Sequence, residues 1–74
     1  MLTIKCARCK GKLFRYLKLG KGRVLRCYKS RIKNDRSVRN GRQVLCQCGN
    51  LIGIDEQKWI KMRPAAFFHT GTKN

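Results

Sequence analysis

The feature that most constrains this chain is a pair of cysteine doublets, Cys6-x2-Cys9 and Cys46-x-Cys48-Gly49, with 36 residues (10–45) between them. At 74 residues there is room for one domain and not two. A chain this short buries too little apolar surface to outweigh its conformational entropy comfortably, so such domains commonly recruit a disulfide or a metal. The cysteine count is five, and an odd number fits a disulfide framework poorly. The opening Met1-Leu2-Thr3-Ile4-Lys5-Cys6 lacks the apolar run of a signal peptide, and no stretch approaches the ~20 apolar residues of a membrane span. The expectation is a cytoplasmic protein with no membrane partner, where reduced cysteines serve as metal ligands.

A tetrahedral zinc needs four ligands, with sulfur at about 2.3 Å. A C-x2-C turn offers two thiolates from one tight knuckle, and a second knuckle from a distant part of the chain completes the site. Cys6, Cys9, Cys46 and Cys48 are therefore the expected ligands of one structural zinc, with Gly11 and Gly49 serving the turns. The C-x-C spacing departs from C-x2-C; read as an extended strand, it turns both sulfurs to one side. That leaves Cys27 open as a substitute ligand, or as a small buried hydrophobe. An iron–sulfur cluster or a redox thiol pair are further alternatives, but no βαβ pattern accompanies the C-x-x-C. His69, the lone histidine, reads as a tail residue able to touch a phosphate or base rather than as a ligand.

Cys6-Ala7-Arg8-Cys9 with Gly11-Lys12-Leu13, and Cys46-Gln47-Cys48-Gly49 with Leu51-Ile52, resemble the zinc-ribbon superfamily. The resemblance implies two knuckles at hairpin tips around one structural zinc, and many members are small ribosomal or transcription components. The first knuckle, within Ile4-Lys5-Cys6-x2-Cys9-x3-Leu13-Phe14, is also similar to the start of the Com-type translational activators of phages, which bind messenger RNA. Cys48-Gly49-Asn50-Leu51-Ile52-Gly53 resembles Yippee-type zinc domains.

The rest of the chain reads as mostly β. Lys12 to Lys18 and Arg23 to Ile32 alternate loosely about Leu19-Gly20-Lys21-Gly22, which predicts a first hairpin. Ser37-Val38-Arg39 and Arg42-Gln43-Val44 flank Asn40-Gly41, which predicts a second hairpin on a type I′ turn, after a bend at Asn34-Asp35. Leu51 to Ile54 reads as a strand. Residues 55–63 fit either a short helix capped by Asp55-Glu56 and stopped by Pro64, or a strand alternating Trp59, Lys61 and Arg63. The fold expected is a small zinc-ribbon-like domain, two hairpins stapled by one zinc, over residues 1–69, with 70–74 a loose tail.

Nineteen Lys and Arg face three acids, a formal charge of +16, and fifteen of the nineteen lie between Lys5 and Arg42. So much like charge on a compact body repels itself unless a polyanion neutralises it. The expected partner is RNA, structured or ribosomal, with DNA as the alternative and no small-molecule substrate. An extended chain lines up Lys29, Arg31 and Lys33 on one side with Arg26 on the other, while Arg36, Arg39 and Arg42 gather at the second hairpin as a basic prong. Tyr16 and Tyr28 sit among these cations and are candidates to stack on unpaired bases, whereas Phe14 and Trp59 are assigned to the core. Three carboxylates and one histidine are too few for an acid–base enzyme. The function expected is a non-catalytic RNA-binding component of the ribosomal type; the alternative is a DNA-binding transcriptional regulator or a phage-type translational regulator.

Overall fold

Nine short strands run in sequence among the described residues: β1 (Leu2–Cys6), β2 (Lys12–Tyr16), β3 (Arg26–Tyr28), β4 (Ile32–Lys33), β5 (Val38–Asn40), β6 (Gln43–Leu45), β7 (Leu51–Asp55), β8 (Trp59–Met62) and β9 (Phe67–Gly71). The computed structural model of the chain describes residues 1–19 and 24–71. Among these, the only helical pieces are single 3-10 turns at Lys29–Arg31 and Pro64–Ala66. Among the described residues, no helix is long and apolar enough to cross a membrane.

The strands form two sheets, ordered β4-β2-β1-β9 and β3-β8-β7-β6-β5, and every pairing is antiparallel. Alternation sets which side chains go inside. In β1, Leu2, Ile4 and Cys6 are buried while Thr3 and Lys5 lie half-exposed between them. A bulge between Ile4 and Lys5 breaks the alternation opposite, so Leu13 and Phe14 are buried consecutively. The second sheet contributes Val44, Ile52, Ile60 and Met62 to the same apolar cluster, which makes the space between the sheets the core. Gly53, at the centre of β7, is required by this packing. A Cβ there would lie 2.5 Å from the Lys61 carbonyl oxygen and 2.9 Å from Ile60 Cγ2.

Two ties join the sheets apart from the core. At the end of β2, the Tyr16 hydroxyl donates to the Arg26 carbonyl at 3.3 Å and accepts from the Tyr28 amide at 3.1 Å, linking β2 to β3. The cysteines lie at the opposite end of β2, about 13 Å away at ~3.3 Å of rise per residue.

The structure revises several expectations. The first hairpin does not form. β2 pairs with β1, joined to it through the cysteine knuckle, and with β4, whereas β3 pairs with β8 in the other sheet. The glycine turn expected at 20–22 lies outside the described residues, as does Arg23. Strand alternation does not carry through Lys29–Arg31, which is a 3-10 turn, so Lys29, Arg31 and Lys33 do not share one strand face. The second hairpin forms, one residue out of the expected register. Asn40 pairs with Gln43, so Gly41 and Arg42 are the central residues. The positive φ of 61° falls on Gly41 alone, the pattern of a type II′ turn. Residues 59–62 are a strand, because Ile60 and Met62 bury at a period of two while Lys61 faces out. Strand β9 carries Thr70 and Gly71 into pairs with Thr3 and Leu2, so those two residues belong to the folded body rather than to a tail; 72–74 lie outside the described residues.

Candidate metal centre and basic surface

Strand β1 delivers Cys6 to the edge of the core, and the chain then turns sharply back. The Lys10 amide donates to the Cys6 carbonyl at 2.9 Å, the Cys6 amide to the Gly11 carbonyl at 2.9 Å, and Lys10 takes φ 65°. The turn aims further amides at sulfur: Arg8 N to Cys6 Sγ at 3.3 Å and Gly11 N to Cys9 Sγ at 3.4 Å. The second knuckle joins β6 to β7. Cys46-Gln47-Cys48-Gly49 is a tight turn, not the extended strand its spacing suggests. It is closed by Gly49 N to the Cys46 carbonyl at 2.8 Å and Cys46 N to the Asn50 carbonyl at 2.8 Å, with Gly49 at φ 95°. The left-handed conformation at Gly49 lets a single spacer reverse the chain.

The two knuckles meet across the gap between the sheets. Cys6 Sγ lies 3.7 Å from Cys48 Sγ, Cys9 Sγ 3.4 Å from Cys46 Sγ, and all four sulfurs lie within 4.8 Å of one another. A tetrahedral ion bound to sulfur at ~2.3 Å has sulfur–sulfur edges of about 3.8 Å, so the four thiols fit one metal ion. Sequence reasoning identified these four and missed Asn50. Its side-chain amide donates to Cys6 Sγ at 3.4 Å and to the Ala66 carbonyl at 3.1 Å, tying the second knuckle to the first and to the 3-10 turn before β9. An amide one residue past the Cys48-Gly49 turn was the available signal, since a sulfur-rich site calls for donors around it.

The surroundings set the thiols apart. At Cys6, burial pushes the pKa up. Hydrogen bonds from the Cys9 and Arg8 amides, the Asn50 side chain and Cys48 outweigh it and bring the thiol down to about 6. At Cys46, burial pushes the thiol up to about 12. Cys27 is fully buried in β3 among apolar side chains and outside the cluster, and burial pushes it up to about 12. It is a core residue, and the substitute ligand set is not formed. His69 stands exposed on β9, opposite Ile4 and outside the sulfur cluster.

The cations expected to bind nucleic acid are placed unevenly. Lys29 pairs with Asp55 at 2.7 Å, Arg39 with Asp35 at 3.0 Å and Arg42 with Glu56 at 2.8 Å. Hydrogen bonds from the Lys29 side chain and the Gln57 amide hold the Asp55 carboxyl below its usual range. Arg26 lies over the Trp59 ring at 5.1 Å and Arg31 over the Tyr28 ring at 5.1 Å. The two rings are 5.8 Å apart and tilted by 55°. Tyr28 is 39% exposed, which leaves its ring within reach of a ligand, and Trp59 is half-buried beside it rather than part of the core. Tyr16 is 3% exposed with its hydroxyl committed to β3, so its ring cannot stack on a base. Lys33 and Arg36 are exposed and stand apart from these pairs.

No protein-family model, curated protein or solved structure matches this chain.

Proposed function

We propose that this protein is a zinc-held RNA-binding module without catalytic activity, a component of a ribosome or a similar RNA-containing particle. The observation that carries the reading is the charge. The chain has nineteen Lys and Arg against three acids, and each acid is already paired, so most cations are left for an outside polyanion. Counterion release on binding phosphates would supply the affinity. Zinc is the ion assigned to the four sulfurs because it favours a tetrahedral thiolate shell and undergoes no redox chemistry. Four thiolates fill that shell and leave no open position for water or substrate, so the ion's role is structural.

The test compares a fluorescein-labelled RNA hairpin, a DNA duplex of matching sequence and polyglutamate at several salt concentrations. The reading expects tightest binding to RNA, with log affinity falling steeply against log salt. Stronger binding to the DNA duplex or to polyglutamate at every salt concentration refutes it.

A further inference from the structure

The three acids of the chain all lie in the second sheet's half of the molecule or on its approach, at Asp35, Asp55 and Glu56, and each holds a cation there. The strands of the first sheet, β1, β2, β4 and β9, contain no acid at all. Its inner face carries Leu2, Ile4, Phe14 and Tyr16 into the core, so alternation turns Thr3, Arg15 and Lys33 outward. Registry then sets like charges side by side. Arg15 pairs with Lys33 across β2 and β4, and Lys5 pairs with Lys12 across β1 and β2. Like charges directly opposite each other on one sheet face repel, and none of these four has an ion-pair partner among the described residues.

The same region holds a groove of about 610 Å³ lined by Thr3, Lys12, Phe14, Arg15, Asn34, Asp35 and Arg36. The segment forming its far wall is fixed to β2 by the Arg36 amide donating to the Leu13 carbonyl at 2.7 Å. Asp35, the only acid at the groove, is engaged elsewhere: its carboxylate accepts from the Ser37 amide and from Arg39. The groove therefore presents three cations, Lys12, Arg15 and Arg36, with no ion-pair partner among the described residues, together with a hydroxyl and an amide, the donor set that holds phosphate oxygens without reading bases.

We propose that the outer face of the first sheet, centred on Lys12, Arg15 and Arg36 with Lys33 alongside, is the docking surface for the RNA phosphate backbone. The Arg39–Arg42 hairpin is not. This rests on the RNA-binding reading and changes where it acts: Lys29, Arg39 and Arg42 are ion-paired within the fold, whereas Lys33 and Arg36 join Lys12 and Arg15 on the open face.

The experiment measures binding of a fluorescein-labelled RNA hairpin against salt for three proteins: the unaltered chain, Lys12→Gln/Arg15→Gln/Arg36→Gln, and Arg39→Gln/Arg42→Gln. Each phosphate contact contributes about 0.9 to the slope of log affinity on log salt for a duplex, so the triple variant should flatten the slope by about two to three units. The hairpin variant should change it by less than about one. Zinc content measured on each protein confirms that the fold is kept. A separate readout is thermal stability without RNA, which should rise in Arg15→Gln because a cross-strand repulsion is removed. If the hairpin variant flattens the slope and the triple variant does not, the proposal is overturned while RNA binding stands. If the unaltered chain binds polyglutamate and not RNA, both readings fall together.

Discussion

On the proposal that the four thiols hold a metal ion, removing that ion should loosen the whole domain by an amount that the closed loop sets. Cys9 and Cys46 are 37 positions apart, and their sulfurs meet at 3.4 Å. A link that persists through unfolding and closes a loop of that length lowers the entropy of the unfolded chain by an amount equivalent to about 4 kcal/mol at 25 °C. A metal that instead leaves the unfolded chain stabilises by a similar amount, about 4 kcal/mol, when free metal stands roughly a thousandfold above Kd. A domain of this size has a net stability on the order of 4–11 kcal/mol, so either route accounts for a large share of it. At about 4–8 °C per kcal/mol, chelation should lower the melting temperature by roughly 20 °C. The assay is a thermal melt followed by Trp59 fluorescence, before and after a chelator, with mass spectrometry confirming metal loss and zinc re-addition restoring the transition. A melting temperature within a few degrees of the original in metal-free protein would refute the reasoning.

Three further outcomes are expected. Cys27→Ser should retain one zinc per chain, while Cys46→Ser and Cys48→Ser lose it or bind it far more weakly, as measured by zinc stoichiometry; metal loss in Cys27→Ser alone would redraw the site. Gly53→Ala should destabilise by about 2 kcal/mol in urea unfolding, because the added carbon meets a strand carbonyl that cannot move aside without breaking the β7–β8 pairing. Asp55 has a lowered pKa, so its contribution is present above the unfolded carboxyl value of about 3.9 and is lost as pH falls through the lower folded value. Melts at a series of pH values should therefore show Asp55→Asn less stable than the unaltered chain near neutrality, by less than about 1 kcal/mol for so exposed a pair, and the difference should vanish in acid.

The four-cysteine cluster was legible because knuckle chemistry is local: thiols at short spacings, with glycines beside them, need no knowledge of distant pairing. The same holds for the second hairpin, where Gly41 fixes a turn within a few residues of its strands. What failed depended on contacts far apart in the chain. β2 and β3 each alternate well enough to be strands, but alternation does not name a partner. The knuckle between Cys6 and Gly11 made β1 the neighbour of β2, leaving β3 to the other sheet. The ion pairs of Lys29 and Arg42 were hidden for the same reason, whereas Arg39 meets Asp35 only four positions away and Arg36 stays outside the ion pairs. Lys29 and Asp55 are 26 positions apart, Arg42 and Glu56 only 14, and neither pairing is visible until β7 and β8 fold back alongside. That Lys12 lies opposite Lys5 and Arg15 opposite Lys33 is not readable in the sequence, because register is a property of the sheet.

The Tyr16 hydroxyl has a consequence beyond joining two sheets. β3 is an edge strand of three residues, and the flanking Leu25 carbonyl and Lys29 amide bond to Met62 in β8 and to Lys58 in the loop before it. Alternate positions on an antiparallel strand face the opposite side, so Arg26 and Tyr28 turn their backbone groups away from the sheet. An open edge of this kind is a template on which another chain can add a strand. One phenolic oxygen, as donor and acceptor together, fills the carbonyl and the amide that such a strand would use first. The side chain thus occupies the exposed backbone groups of an edge that its shortness and the charge of Arg26 already make a poor template.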